Sequence, residues 1–111
     1  MTRSPKLYLQ DIIECSELIA GFIVGHDREQ FKANVMMQFA VIRAMGIIGD
    51  AAKKLPPEFR KRHPEIPWRE MAQTRDVLIH DYLRINLDSL WRTITTDLPP
   101  LADKLRPLLE E

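Results

Sequence analysis

The sequence predicts an all-α protein, an up-and-down helical bundle that pairs into a homodimer. Apolar residues recur at offsets of three and four along most of the chain. Helix formers dominate, and glycine takes only four of 111 positions. Prolines gather at a few places and divide the chain into pieces of helical length. A chain of this size is one domain, residues 1–111, and its 45% apolar content is enough for a single core.

The first helix is predicted to start at Ser4-Pro5, a capping residue followed by proline at the first helical position. Leu9, Ile12, Ile13, Ile19 and Ile23 mark its buried face, and Gly25 stops it. Asp27 then reads as a new cap, with Gln30 three residues on completing a capping box. The second helix is predicted to run from there to about Leu55, where Pro56-Pro57 ends it. It is apolar almost all round between Val35 and Ile48. That girth implies burial from several sides, by a partner subunit as well as by the chain itself. Gly46, Gly49 and Ala52 repeat every three residues, a row of small side chains that lets another backbone come close.

Pro56 to Pro67 reads as a connector with four prolines in twelve residues and room for one helical turn at Glu58-Phe59-Arg60. Pro67 opens the third helix, and Arg84 to Asn86 is a break, with Asn86 as the next cap. The fourth helix buries Leu87, Leu90, Trp91, Ile94 and Leu98. Pro99-Pro100 is predicted to punctuate again, and Leu101, Leu105, Leu108 and Leu109 line a final helix.

Composition excludes several function classes. Sixteen basic and sixteen acidic residues give a formal net charge of zero. That argues against coating nucleic acid by bulk electrostatics while leaving room for a local basic site. The single Cys15 excludes an internal disulfide framework and fits a reducing compartment. Arg3, Lys6, Gln10, Asp11 and Glu14 interrupt any signal-peptide pattern. No stretch is read as approaching the roughly 20 apolar residues of a membrane helix, so the expected location is the cytoplasm. His26 and His63 lack metal-ligand companions at useful spacing, so no metal and no cofactor is expected.

The third helix carries the chemistry. Trp68, Met71, Ala72, Leu78, Ile79 and Tyr82 form one apolar stripe, and Arg75 falls in its middle. A guanidinium there cannot lose its charge, so burying it is costly unless an anion faces it. Either a structural carboxylate, Asp50 or Glu70, pairs with it, or the face is kept for an anionic ligand. The run Arg75-Asp76-Val77-Leu78-Ile79-His80-Asp81-Tyr82 reads R-x-x-x-x-H-x-Y. Residues five apart are rotated by roughly 140° on a regular helix, so Arg75 and His80 diverge while Arg75 and Tyr82 share a face. Arg75 and His80 converge only through an irregular helix end or a second subunit. His80 near a helix C-terminus also has a plain reading, compensation of the helix dipole. Tyr82 likewise has one as an amphipathic core tyrosine.

This motif resembles that of the HEPN superfamily, and the surrounding residues narrow the resemblance to the HepT-like toxins. The wider match takes in Ile47 to Leu55, Pro64-Glu65-Ile66-Pro67-Trp68-Arg69-Glu70, the stretch Arg75 to Tyr82, Leu90-Trp91 and Asp97-Leu98-Pro99. It covers nearly the whole chain in the same order. Asp50 and Asp76 stand where family members often carry Glu and Asn. The resemblance implies a HEPN-like bundle and a metal-independent ribonuclease, the toxin half of a toxin–antitoxin pair. RNA supplies its own nucleophile, the 2′-hydroxyl. His80 would transfer the proton, Arg75 would hold the phosphate as a two-pronged cation, and Asp76 would set the His80 tautomer. It also implies a partner, a minimal MntA-type nucleotidyltransferase antitoxin that adenylylates the motif tyrosine, here Tyr82. Lys53, Lys54, Arg60, Lys61 and Arg62 form a basic cluster. It reads as a solvated face or as a contact to the RNA backbone. The rival function is a non-catalytic helical module that binds a nucleotidyltransferase partner or a nucleotide.

Overall fold

The computed structural model describes residues 4–80 and 84–111; the side chains of Val77, Ile79 and His80 also lie outside the description. All regular structure among the described residues is helical. The helices are α1 (Pro5–Ile23), α2 (Arg28–Ala33), α3 (Val35–Lys54), α4 (Pro57–Arg62), α5 (Trp68–His80), α6 (Leu87–Arg92) and α7 (Leu98–Leu105). A π-helical turn, Thr93–Asp97, joins α6 to α7, and a 3-10 turn, Arg106–Glu110, follows α7. The all-α helical bundle expected from the periodicity is the observed fold.

Local chemistry accounts for the boundaries. The Ser4 side chain accepts from the Lys6 N–H at 3.2 Å, with Pro5 at the first position of α1. Gly25 ends that helix at φ 77°, a left-handed conformation that glycine adopts without strain. Asp27 and Gln30 close the capping box, each side chain accepting from the other's backbone N–H at 2.8 Å. Asn86 caps α6 through its Oδ1, which accepts from the Ser89 N–H at 3.0 Å.

Two predicted elements are corrected. The helix expected to run from Asp27 to Leu55 is broken at Asn34, which sits at φ −114° and ψ 95°. Its side chain accepts from the Met37 N–H at 2.9 Å and starts α3 afresh. Gln38 bridges the corner by donating to the Phe31 and Lys32 carbonyls. The second correction is at Pro99-Pro100, which does not separate two helices. Two prolines in a row withhold two N–H groups and crowd the preceding turn. The chain answers by widening: the Leu98 N–H reaches back five residues to the Thr93 carbonyl. The helical path then runs on through both prolines.

α3 is the centre of the fold, packed against α1 and against α5. It has 20 residues and holds an 18-residue window of mean hydropathy 1.4, long and apolar enough on length and composition to cross a membrane. That corrects the expectation that no stretch comes near this threshold; here Val41, Ala44, Met45, Ile48 and Ala52 of α3 are buried in the bundle core. α7 and the 3-10 turn close over α1. α2 is clamped to α6 by Phe31 against Trp91, ring centroids 5.3 Å apart, and by Arg28 and Lys32 around Asp88.

α3 is not buried all round. Val35, Met36 and Phe39 are 61%, 82% and 51% exposed, all at its N-terminal end. The small-residue row is split as well. Gly49 and Ala52 are buried against neighbours, whereas a Cβ on Gly46 would meet nothing within 4 Å.

Candidate active site

Arg75 lies on the face of α5 that packs against α3. Trp68, Met71 and Leu78 on the same face are buried, and the Arg75 side chain is 30% exposed. Gly49 explains how an arginine fits there. A Cβ on Gly49 would stand 2.3 Å from the Arg75 Cβ and 2.8 Å from the Met71 carbonyl oxygen. The missing side chain lets the stem of Arg75 rest on the α3 backbone. The stem is packed and the charged head reaches the edge of the interface, as long cationic side chains do.

At that edge the charges alternate. Lys54 Nζ lies 3.0 Å from Asp50 Oδ2, Asp50 Oδ1 lies 3.9 Å from Arg75 Nε, and Arg75 Nη1 lies 3.2 Å from Asp76 Oδ1. At 3.9 Å the Asp50 contact is an ion pair without a hydrogen bond. Among the described residues, Nη1 to Asp76 is the one hydrogen bond Arg75 makes. A guanidinium has five donors, so most of the fork is uncommitted. Of the two readings of Arg75, the carboxylate pairing with Asp50 is present, but it is loose and leaves the cation open to a second anion. Pairs this exposed contribute about 0–1 kcal/mol, so an incoming phosphate can displace them at little cost.

The guanidinium faces a groove of about 640 Å³ between α3 and α5. Phe39, Ile42, Gly46 and Ile47 give it an apolar wall, Leu78 stands on the α5 side, and Arg43, Asp50, Lys54 and Arg75 supply charge. Reasoning from sequence did not assign Arg43 or the groove wall to the site. The available signal was the spacing of residues 39, 43, 46, 50 and 54 at three and four along α3, the face that meets the motif helix.

The other predicted site residues fall in different places. Asp76 was expected to orient His80, a contact that lies outside the described residues; the partner described for Asp76 is Arg75, on the neighbouring position of α5. His80 is the last residue of α5, and its side chain lies outside the described residues, as does Tyr82 altogether. The basic cluster is divided. Lys54 lines the Arg75 groove, and Lys53 is exposed beside it. Arg60 and Lys61 line a separate cleft between α4 and the start of α5. The Arg62 guanidinium stands 5.3 Å from the centre of the Phe59 ring.

His63 has a structural role that the sequence did not announce. It is buried, its Nε2 is 2.9 Å from Glu111 Oε1, and its Nδ1 is 3.6 Å from Glu65 Oε1. Its carbonyl accepts from the Trp68 indole N–H at 3.0 Å. Cys15 is buried as well. Burial, then Asp11 and Glu14, push its thiol upward against the opposing pull of Arg43. Among the described residues no group of three or more His, Cys, Asp or Glu side chains is placed to hold a metal ion.

Known proteins resemble this chain over nearly its whole length. The family model described as ribonuclease HepT-like matches residues 12–108. A Thermococcus cleftensis protein named "Probable ribonuclease HepT" is 49% identical over 108 residues, 97% of this chain and 98% of that protein. Two further relatives carry "putative RNase" in their names. One, from Caldanaerobacter subterraneus subsp. tengcongensis, is 35% identical over 98% of this chain and 97% of its own length. The other, from Methanocaldococcus jannaschii, is also named a gamma-glutamylcyclotransferase. It is 38% identical over 100% of this chain, which spans 50% of it. No solved structure matches.

Proposed function

Because this chain belongs to the ribonuclease HepT-like family, we propose that it is a metal-independent endoribonuclease, the toxin of a toxin–antitoxin pair, that cuts RNA with Arg75 and His80. The observation that carries this reading is the Arg75 guanidinium, held at the mouth of a groove with most of its donor fork unused.

The chemistry follows from the residue types. The RNA 2′-oxygen attacks the adjacent phosphorus and forms a new P–O bond, its proton passing to a base. The bond from phosphorus to the 5′-oxygen breaks, and that oxygen takes a proton from an acid. The products are a 2′,3′-cyclic phosphate and a free 5′-hydroxyl, and no metal takes part. His80 carries protons, since imidazole is suited to both roles near neutral pH. Arg75 binds two of the phosphate oxygens and stabilises the charge that builds on them. Asp76 keeps Arg75 at the groove until the phosphate displaces it. The site takes no cofactor, and Lys53 and Lys54 extend its positive edge along the RNA backbone.

The active form is a homodimer. Val35, Met36 and Phe39 expose apolar surface in line with the groove along α3. A second copy laid on that stripe covers it and brings the second motif helix to the same groove, with closed two-fold symmetry. The antitoxin is a nucleotidyltransferase, and both proteins act in the cytoplasm. It attaches AMP to Tyr82, seven residues after Arg75 in the motif. The added phosphate and bulk block the site to RNA.

The test is incubation of purified protein with total tRNA in the presence of a metal chelator. Wild type should cleave, while Arg75→Ala and His80→Ala should lose on the order of a hundredfold or more in rate and still fold. Arg75→Lys should recover little, because an ammonium lacks the planar fork. Equal cleavage by wild type and both alanine variants would remove the nuclease assignment and leave the interaction module.

A further inference from the structure

We infer that the cleft between α4 and the start of α5 is a second phosphate-binding subsite, which holds the RNA strand outside the Arg75 groove. This rests on the ribonuclease reading above and adds a place and a length to its substrate.

The cleft has a volume of about 550 Å³, and its lining shares no residue with the Arg75 groove. Prolines 57, 64 and 67 wall it, so its shape is set by backbone that cannot easily rearrange. Three cations, Arg60, Lys61 and Arg69, line it. Among the described residues none of the three has a carboxylate partner within ion-pair distance. Of the two carboxylates there, Glu65 is drawn toward His63 Nδ1 at 3.6 Å.

Arg60 marks the spot. Its Nε is buried and has no hydrogen-bond partner. A buried charged donor left without an acceptor is costly, and native proteins rarely keep one. An anion seated in the cleft would offset the charge of this guanidinium, which lines it. The plain alternative is that these cations only compensate the C-terminal dipole of α4. Arg69 argues against that, because it belongs to the first turn of α5, where the helix dipole disfavours a cation.

The cleft is near the reaction centre along the motif helix. Arg69 precedes Arg75 by six residues on one helix, about 9 Å along the axis and about 120° around it. A stacked strand rises about 3.4 Å per nucleotide, so a strand anchored in the cleft reaches Arg75 within a few nucleotides. Arg62 is left out of the subsite, since its guanidinium is spent on the Phe59 ring. The subsite reads phosphate, so it sets substrate length and not sequence.

The experiment uses the full chain and 2′-O-methyl RNA, whose blocked nucleophile permits binding without cleavage. Fluorescence anisotropy follows a dodecamer and a dinucleotide over a salt series. Arg60→Gln/Lys61→Gln/Arg69→Gln should bind the dodecamer about tenfold more weakly at low salt. The slope of log K against log[salt] should be shallower by about 1–2. The dinucleotide, too short to span both places, should not distinguish the variant from wild type. Lys61→Gln/Arg69→Gln alters exposed side chains alone and should show the same direction, which guards against misfolding of the triple variant. Unchanged affinity and slope on the dodecamer would overturn the subsite and leave the nuclease reading standing. Wild type that binds no RNA at all would overturn both. Displacement of the dodecamer by micromolar ATP from wild type, and not from the triple variant, would reassign the cleft to free nucleotide.

Discussion

Gly49→Ala is the sharpest single test of how the candidate site is built. In an ordinary helix this change stabilises by up to about 1 kcal/mol, because glycine is the poorer helix former. Here the new Cβ would stand 2.3 Å from the Arg75 Cβ and 2.8 Å from the Met71 carbonyl oxygen, backbone-anchored atoms that no rotamer change can move. Restoring an ordinary contact of about 3.5–4.0 Å requires α3 and α5 to part by roughly 1.2–1.7 Å. Overpacking of this kind costs about 1–3 kcal/mol, and a rigid clash belongs at the upper end. Set against the propensity gain, the net loss is about 2 kcal/mol, or roughly 8–12 °C in Tm for a chain of this length. Cleavage should fall further than stability, since moving a phosphate-binding group by about 1 Å costs on the order of a hundredfold in rate. Gly21→Ala is the control. Gly21 is also helical, a Cβ there meets nothing within 4 Å, and it should show the propensity gain alone. Both are measured by urea and thermal unfolding at one fixed protein concentration, because dimerisation would make Tm concentration-dependent. A Gly49→Ala protein as stable as Gly21→Ala would refute the close approach of α3 and α5 on which the position of Arg75 depends.

Three further outcomes are expected. Phe39→Asp, at a 51% exposed position on the α3 stripe, should leave the monomer fold intact and shift the protein from dimer to monomer by light scattering; an unchanged dimer would place the interface elsewhere. Tyr82→Phe should keep RNA cleavage yet gain no AMP mass when co-expressed with the nucleotidyltransferase, whereas the same adduct on both proteins would exclude Tyr82 as the switch. Cys15 should resist thiol reagents in the folded protein and react quickly in urea, because burial holds its thiol above the ordinary value. The folded thiol keeps its proton to higher pH than the unfolded one. Its contribution to stability is therefore complete below about pH 8.5, the unfolded value, and is lost as pH climbs through the folded value. Wild type should lose more stability than Cys15→Ala in that alkaline window, and parallel pH profiles would contradict the assignment.

Much of this architecture is legible in the sequence where chemistry is local. Ser4, Asp27 with Gln30, and Asn86 are caps whose side chains act on backbone within three residues, and each sits where expected. Asn34 was harder to see. The apolar run beyond it suggests continuity and hides the local cap, in which Asn34 accepts from the Met37 N–H while Gln38 closes the corner. Pro99-Pro100 misleads for the opposite reason: the rule that proline ends a helix is local, and the wider turn at Thr93–Asp97 is a response to it. At the site, an arginine in an apolar stripe announces itself. The α3 wall does not, since Phe39, Arg43 and Gly46 acquire meaning only once α5 lies beside them.

The wide turn also decides how the chain finishes. Leu90, Ile94, Leu98 and Ala102 are buried at intervals of four, a spacing that slips by about 40° per step on a helix of 3.6 residues per turn. One turn with a longer period takes up part of that slip and keeps Leu98 and Leu105 aimed at the core. Two absent hydrogen-bond donors thus act as a phase adjustment. The azimuth at which α7 and the closing 3-10 turn come down on α1 is written in what Pro99 and Pro100 lack.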